Sequence, residues 1–207
     1  MDFGNMISML IGQEDGGIYR IHKEFFEIPP NWIRDIADQF LEYFSNHEKK
    51  EINLYYDRAA NNFRKQGKDL AGEIRDALEK KVDGTYTGWT VNLKSRNQGT
   101  IYQGTEYYFA MELMRGDNEK LPKLLIDANN CKCLKSSMEK APRGIKIRRD
   151  GVKVIIKIKK SEKLSARLLP MFSTNFSDAF KYLVCRREWL KISRTNKRSN
   201  DGTIDPN

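Results

Sequence analysis

The chain is short of the residues from which many protein sites are built. It has three cysteines and two histidines among 207 residues. Cys131 and Cys133 form an isolated C-x-C pair without a second pair, and His22 and His47 lie far from it in sequence, which argues against a zinc site. A small, odd number of cysteines favours a reducing compartment over a disulfide framework.

Long apolar runs and nucleotide-binding loops are also missing. No segment approaches the ~20 apolar residues that span a membrane, and the first residues lack the basic and apolar regions of a signal peptide. We therefore expect an intracellular protein with no membrane partner. The only Gly-Lys pair, Gly67-Lys68, is followed by Asp69, so the chain contains no G-x-x-x-x-G-K-[ST] phosphate-binding loop.

Apolar periodicity and turn residues predict a mixed α/β fold. An antiparallel hairpin is expected over residues 6–28, because Asp15, Gly16 and Gly17 form a strong turn signal. The pattern then predicts a helix over 29–50, a strand over 51–57, a helix over 68–82, a strand over 87–93, a helix over 104–116, a strand over 121–127, a short helix over 131–141, a second hairpin over 144–160 and a helix over 171–193. Alternating strands and helices indicate a parallel portion, so the sheet should be mixed and flanked by helices.

No internal repeat or interdomain linker interrupts this pattern. We therefore predict one domain over residues 1–193, followed by a flexible polar tail over 194–207.

Most of the positive charge lies in one segment. The whole chain carries 37 Lys and Arg against 28 Asp and Glu, and residues 143–167 alone contain ten basic and two acidic side chains. The extra hairpin in this segment could bind the backbone of double-stranded DNA without sequence preference, or its lysines could protect an edge strand from aggregation. The candidate DNA-binding residues are Arg143, Lys146, Arg148, Arg149, Lys153, Lys157 and Lys159.

Four aspartates are candidates for a metal site. Asp57 ends the apolar run LYYD, Asp127 ends LPKLLID, Asp2 precedes the first hairpin, and Asp178 opens the helix in NFSDAFKYLV. Each has an ordinary explanation, such as a salt bridge, a cap or a favourable place near a helix N-terminus. Carboxylates that come together would instead suit Mg²⁺ or Mn²⁺, which prefer hard oxygen ligands.

The order of three of these acids resembles a known family. MDFGN with the following strand, LYYDRAANN before a helix, and NFSDAFKYLV near the end together resemble the C-terminal nuclease domain of phage terminase large subunits, which is ribonuclease H-like. The resemblance covers about residues 1–190. It implies a ribonuclease H-like sheet and assigns Asp2, Asp57 and Asp178 as catalytic metal ligands. It assigns no such role to Asp127.

The same resemblance implies a function and partners. The expected activity is endonucleolytic cleavage of double-stranded DNA during viral genome packaging, by phosphodiester hydrolysis with two Mg or Mn ions. Expected partners are DNA, the portal and the small terminase subunit, in the cytoplasm of a host carrying the phage or prophage. The packaging ATPase domain of that family is absent from this chain, so we expect an excised domain or a split gene.

Two other functions stay open at this point. One is a ribonuclease H-like nuclease of the resolvase or transposase type, and the other is a DNA-binding module without catalytic activity. Metal-dependent cleavage separates an enzyme from a binding module, and a preference for branched DNA would favour the resolvase type.

Overall fold

The computed structural model describes residues 1–62, 64–65, 68–101, 103–140, 143–147, 151, 153–158, 164–188 and 190. The strands are β1 (Asp2–Phe3), β2 (Ile7–Asp15), β3 (Ile18–Glu27), β4 (Glu51–Leu54), β5 (Arg64–Lys65), β6 (Lys68–Asp69), β7 (Thr90–Leu93), β8 (Lys123–Ile126), β9 (Arg143–Ile147) and β10 (Lys153–Lys157). The helices are α1 (Ile33–Tyr43), α2 (Leu70–Glu79), α3 (Gln103–Arg115), α4 (Lys132–Lys140), α5 (Leu169–Phe172) and α6 (Asn175–Arg187). A 3₁₀ helix covers Arg58–Asn61.

The main sheet has the order β1-β2-β3-β8. β1 pairs antiparallel with β2, and β2 pairs antiparallel with β3 from Ile7 opposite Glu27 to Asp15 opposite Ile18. Gly16 and Gly17 close this hairpin with φ of 55° and 77°, a conformation that glycine adopts without steric cost. β8 adds to the outer edge of β3 in parallel, so the predicted opening hairpin and mixed sheet are confirmed.

A second parallel pair lies beside the short strand β1. β4 pairs with β7 from Glu51 opposite Thr90 to Leu54 opposite Leu93. The terminal amino group of Met1 donates a hydrogen bond to the carbonyl oxygen of Tyr55, at 2.7 Å, which places the end of β4 next to β1. Neighbouring strands therefore run β8-β3-β2-β1 and then β4-β7.

Helices cover both faces of β2, and the alternation of its side chains shows which helix lies where. Ile7 and Met9 are buried in a cluster with residues of α1 and α2, whereas Leu10 is buried in a second cluster with residues of α3, α4 and α6. Successive side chains of a strand point to opposite faces. The chain is thus an α/β fold with helices on two sides of its sheet, as predicted.

Several predicted boundaries were wrong. α2 ends at Glu79, and Val82, which was expected on its apolar face, is 86% exposed. Residues 171–193 form no single helix, because Ser173 and Thr174 separate α5 from α6. The hairpin of β5 and β6 was not predicted.

The basic hairpin forms as expected, from Arg143 opposite Lys157 to Ile147 opposite Lys153. The predicted DNA-binding residues Arg148, Arg149 and Lys159 lie outside the described residues, as does the predicted tail over 194–207. Within the part of the chain that the structure describes, no helix is long and apolar enough to cross a membrane.

Candidate functional site

Asp57 is held at the end of β4 by the residues on either side of it. The preceding residue, Tyr56, is fully buried, and its N–H donates to the Ser95 hydroxyl at 3.0 Å. The Tyr56 hydroxyl donates to Asn61 Oδ1 at 2.8 Å and so fixes the far end of the 3₁₀ helix. Asp57 Oδ1 accepts from the N–H of Ala59 at 3.1 Å. The carboxylate therefore caps the 3₁₀ helix, as one of the ordinary explanations for this aspartate supposed. The capping bond also fixes the position of the carboxylate.

Asp2 lies on β1, opposite Ser8 of β2. The loop after β1 packs closely on the start of α6: a Cβ at Gly4 would lie 2.7 Å from Asn175 Nδ2 and 3.3 Å from Asp2 Oδ2. Asn175 is buried and donates to the carbonyl oxygen of Met6 at 2.6 Å. Glycine at position 4 therefore allows the strand that carries Asp2 and the first turn of α6 to approach each other.

Asp2 and Asp57 open into the same cavity although they are far apart in sequence. This cavity has a volume of about 530 Å³ and is also lined by Gly4, Trp32 and Tyr182. Tyr182 belongs to α6, the helix that carries the third candidate acid. Two of the three predicted ligands thus share one recess with the predicted helix.

Asp178 lies in the first turn of α6 and is 4% exposed. Lys181 Nζ lies 2.9 Å from Asp178 Oδ1 and 3.5 Å from Glu106 Oε2, so one ammonium group bridges two buried carboxylates. Burial acts to lower the pKa of Lys181, but Asp178 and Glu106 offset this effect and the pKa is raised. Burial raises the pKa of Glu106, against the opposing effects of Lys181 and Arg186.

The pKa of Tyr182 is raised by burial and also by the three candidate aspartates and Glu106. Its pKa is raised first by burial and then by the charges of Asp57, Asp2, Asp178 and Glu106, in that order. All four carboxylates are therefore close enough to this one ring for their fields to act on its hydroxyl. Lys181, which lies between Asp178 and Glu106, supplies a compensating positive charge to these carboxylates.

The arrangement brings the acids near one another without forming a finished cluster. Within the described residues, no group of three or more His, Cys, Asp or Glu side chains is placed to hold a metal ion. Asp2 and Asp57 line the shared cavity, whereas Asp178 is not among its lining residues and is paired with Lys181. The assignment of all three as ligands to a shared pair of ions stays a prediction.

Asp127 is placed elsewhere in the fold. It follows β8, on the far side of β3 from β1, and its Oδ1 accepts from the N–H groups of Asn129 and Asn130 at 2.9 and 3.1 Å. These bonds lower its pKa, the bond from Asn130 most. Asp127 does not line the cavity of Asp2 and Asp57, and it has a sufficient role in capping its own turn.

The exposed lysines of the basic hairpin do not lie on one face. Lys146 and Lys153 are both exposed. Lys153 is opposite Ile147, the neighbour of Lys146 on β9. Because paired residues share a face and successive residues alternate, Lys146 and Lys153 point to opposite faces. Arg143 and Lys157 are opposite each other in the backbone register.

Sequence reasoning missed Glu106 and Lys181. A signal for Glu106 was present, because it shares one face of α3 with Ala110 and Leu113, at the four- and seven-residue spacing of a buried stripe. A carboxylate in such a stripe needs a buried partner. Lys181 lies three residues after Asp178 on α6, a spacing that brings side chains together on a helix.

In comparisons with known proteins, no family model, no curated protein and no solved structure matches the chain.

Proposed function

We propose that this protein is a metal-dependent DNA endonuclease of the ribonuclease H-like type, and specifically that it acts as the nuclease domain of a terminase large subunit. The observation that carries the proposal is the shared cavity of Asp2 and Asp57, which is also lined by Tyr182 of the helix that bears Asp178. These acids come from the first strand, from the strand after the first helix and from the last long helix. That is the order on which the resemblance rests.

The strand order supports the proposed fold type. An antiparallel β1-β2-β3 unit is followed by α1 and then by β4, which lies next to β1, and β7 pairs in parallel beyond β4. Asp2 therefore lies on β1, and Asp57 lies three residues after the neighbouring strand β4, in the middle of the assembly. In open α/β sheets, polar sites gather in the crevice at the ends of such central strands.

The residues of the cavity fit a divalent cation of the hard class. Asp2 and Asp57 offer carboxylate oxygens, which Mg²⁺ and Mn²⁺ prefer, and neither histidine lines this cavity. These two aspartates would hold the ion, and Asp178 would join them by exchanging its bond to Lys181. When bound, a pair of such ions would supply an activated water and neutralise phosphate charge.

The surrounding groups suit this role. Asp57 is fixed by its cap to Ala59, and Asp2 by the pairing of β1 with β2. Preorganised carboxylates lose little freedom on binding an ion. The hairpin of β9 and β10 would supply phosphate contacts for the duplex. By the same resemblance we place the reaction in viral genome packaging, in a host cytoplasm, with the portal and small subunit as partners.

The test is Asp57→Asn. Asparagine keeps the Oδ1 atom that accepts the Ala59 N–H and is itself a good cap, so stability should change by less than about 0.5 kcal/mol. Losing a residue that only orients a metal ligand lowers metal affinity or activity about 10–100-fold. Losing a ligand itself should therefore lower activity at least about 100-fold. We therefore expect Mn²⁺-dependent nicking of supercoiled plasmid that a chelator abolishes and that the variant lacks.

The matched control is Asp127→Asn, the same change in a carboxylate that also caps a turn. It should keep wild-type cleavage. Full activity of folded Asp57→Asn would end the metal-site proposal. DNA binding without cleavage at any metal concentration would favour a binding module, and cleavage confined to branched DNA would favour a resolvase.

A further inference from the structure

Glu106 and Lys181 form a buried link between α3 and the candidate acid on α6. Lys181 Nζ lies 2.9 Å from Asp178 Oδ1 and 3.5 Å from Glu106 Oε2. Glu106 and Asp178 are both buried, and they come from different helices. One ammonium group therefore has two carboxylate acceptors, of which only Asp178 belongs to the predicted metal site.

The packing of α3 on α6 fixes the position of Glu106. The Cys185 thiol donates to the carbonyl oxygen of Glu106, with Sγ at 3.6 Å. Ala110 of α3 and Val184 of α6 are buried in the same apolar cluster. The Glu106 carboxylate is therefore held beside Lys181 by contacts that do not involve its own charge.

Lys181 is the cation of this region that is able to change partners. Burial raises the pKa of Glu106, and Lys181 and Arg186 both oppose this effect. Arg186, however, donates through Nη1 to the carbonyl oxygen of Gly99 at 2.6 Å, and its own carbonyl oxygen accepts from Gln98 Nε2 at 2.8 Å. Lysine carries three rotatable donors on a flexible four-carbon stem, whereas the guanidinium group of arginine is a rigid fork.

Lys181 and a divalent ion would compete for Asp178. Two cations at one buried carboxylate repel each other strongly, because burial leaves little solvent to screen their charges. Lys181 would therefore leave Asp178 when this carboxylate turned to an ion. A buried ammonium group that loses its partner without replacement is costly.

Glu106 offers Lys181 a replacement partner within reach. The present separation of 3.5 Å is longer than a charge-assisted hydrogen bond, which measures about 2.7–2.9 Å. A shift of less than about 1 Å would close it. The same movement carries the ammonium group away from Asp178 and keeps it paired.

We propose that Glu106 is a positioning residue of the candidate metal site, which takes over the ammonium group of Lys181 when Asp178 binds a divalent ion. The inference rests on the proposed function, because it requires an ion at Asp178. Glu106 itself needs no contact with the ion or with DNA. Without its carboxylate, Lys181 would stay on Asp178 and metal binding would weaken.

The test is Mn²⁺ binding to the wild-type protein and to Glu106→Gln, measured from the electron paramagnetic resonance signal of free Mn²⁺. Glutamine keeps the shape of the side chain and removes its charge. We expect the Mn²⁺ concentration at half-saturation to rise at least about tenfold. The matched control is Glu112→Gln, the same change on α3 in an exposed pair with Arg115, and it should leave this concentration unchanged. Circular dichroism verifies that each variant is folded.

Two further variants separate the contact from the net charge. Glu106→Asp keeps the charge but shortens the side chain by one methylene group, so its carboxylate should fall short of Lys181 and Mn²⁺ binding should again weaken. The double variant Lys181→Met/Glu106→Gln removes the competing ammonium group together with its acceptor. It should bind Mn²⁺ at least as tightly as the wild-type protein.

The outcomes distinguish this inference from the proposed function. Wild-type Mn²⁺ binding in folded Glu106→Gln would overturn the inference and leave the metal site at Asp57 standing. Wild-type binding in Glu106→Asp would also overturn it, since net charge alone would then explain the effect of glutamine. Weak binding that persists in the double variant would assign Glu106 a structural role only. Absence of Mn²⁺ binding to the wild-type protein would end the proposed function, and this inference with it.

Discussion

Replacing Lys181 with methionine should strongly destabilise the protein, because this ammonium group bridges Asp178 and Glu106 at 2.9 and 3.5 Å. The side chain of Lys181 is 20% exposed and both carboxylates are 6% exposed, so solvent screens the group weakly. Breaking a buried pair by removing one partner costs about 3–5 kcal/mol. For a domain of this size that corresponds to a Tm lower by roughly 6–20 °C.

The pH dependence follows from the Glu106 carboxyl group. Burial already raises its pKa, and Lys181 is one of the groups that oppose this effect; Lys181→Met should raise the pKa further. A carboxyl group whose folded-state pKa lies above the unfolded value stabilises the fold below the unfolded value. That contribution is lost as pH rises through the folded-state pKa. The variant should therefore be closer to wild type at pH 5 than at pH 8.

Thermal and urea unfolding at these two pH values measure the effect. The matched control is Lys68→Met, which removes the exposed pair between Lys68 and Asp76 and should cost less than about 1 kcal/mol. The double variant Lys181→Met/Glu106→Gln should recover part of the loss, since it removes one uncompensated carboxylate. A Lys181→Met variant as stable as the Lys68→Met control would refute the account of a buried bridge.

Three further predictions concern separate parts of the molecule. Because Lys146 and Lys153 point to opposite faces, only one of the variants Lys146→Gln and Lys153→Gln should lower the salt slope of DNA binding, by about 0.9. An unchanged slope in both variants would show that the hairpin does not contact DNA. Leu78→Ala should lower the free energy of unfolding in urea by about 2–5 kcal/mol and Val82→Ala by less than about 0.5, since Leu78 is fully buried and Val82 is 86% exposed. Similar losses in the two variants would contradict this difference in burial. Burial raises the pKa of Cys131 to about 12, so native protein at pH 8 should resist iodoacetamide at this thiol, and rapid labelling would contradict it.

Local patterns predicted the fold well where a single element determines them. The Gly16-Gly17 turn specified the first hairpin, and the apolar spacing of Ile36 and Phe40 specified α1. The predicted boundaries were wrong where capping hydrogen bonds, which the apolar pattern does not show, set the end of a helix. The N–H of Trp32 donates to Asp35 Oδ2, so α1 begins at Ile33, and the side chain of Asn31, within the predicted helix, donates to Glu27.

Only part of the candidate site could be predicted from local sequence. Asp2 and Asp57 could be selected from short motifs, because a polar residue at a strand end is visible in sequence. Glu106 could not be placed beside Asp178 from spacing, since α3 and α6 are 72 positions apart at these residues and only the packing of the two helices brings them together. The contact between Lys181 and Glu106 therefore depends on tertiary packing and could not be predicted from sequence spacing.

Asp57 and Asp127 make the same local hydrogen bonds but lie in different surroundings. Each follows a strand, and each uses Oδ1 to accept the N–H of the second residue after it, at 3.1 and 2.9 Å. These local hydrogen bonds do not separate the two residues. β4, however, ends beside β1, whereas β8 lies at the outer edge of β3. Asp57 consequently lines a cavity with Asp2 and Tyr182, while the Asp127 carboxylate accepts hydrogen bonds from its own turn. The position of the strand in the sheet, more than the capping turn, decides which of the two carboxylates lines the cavity with Asp2.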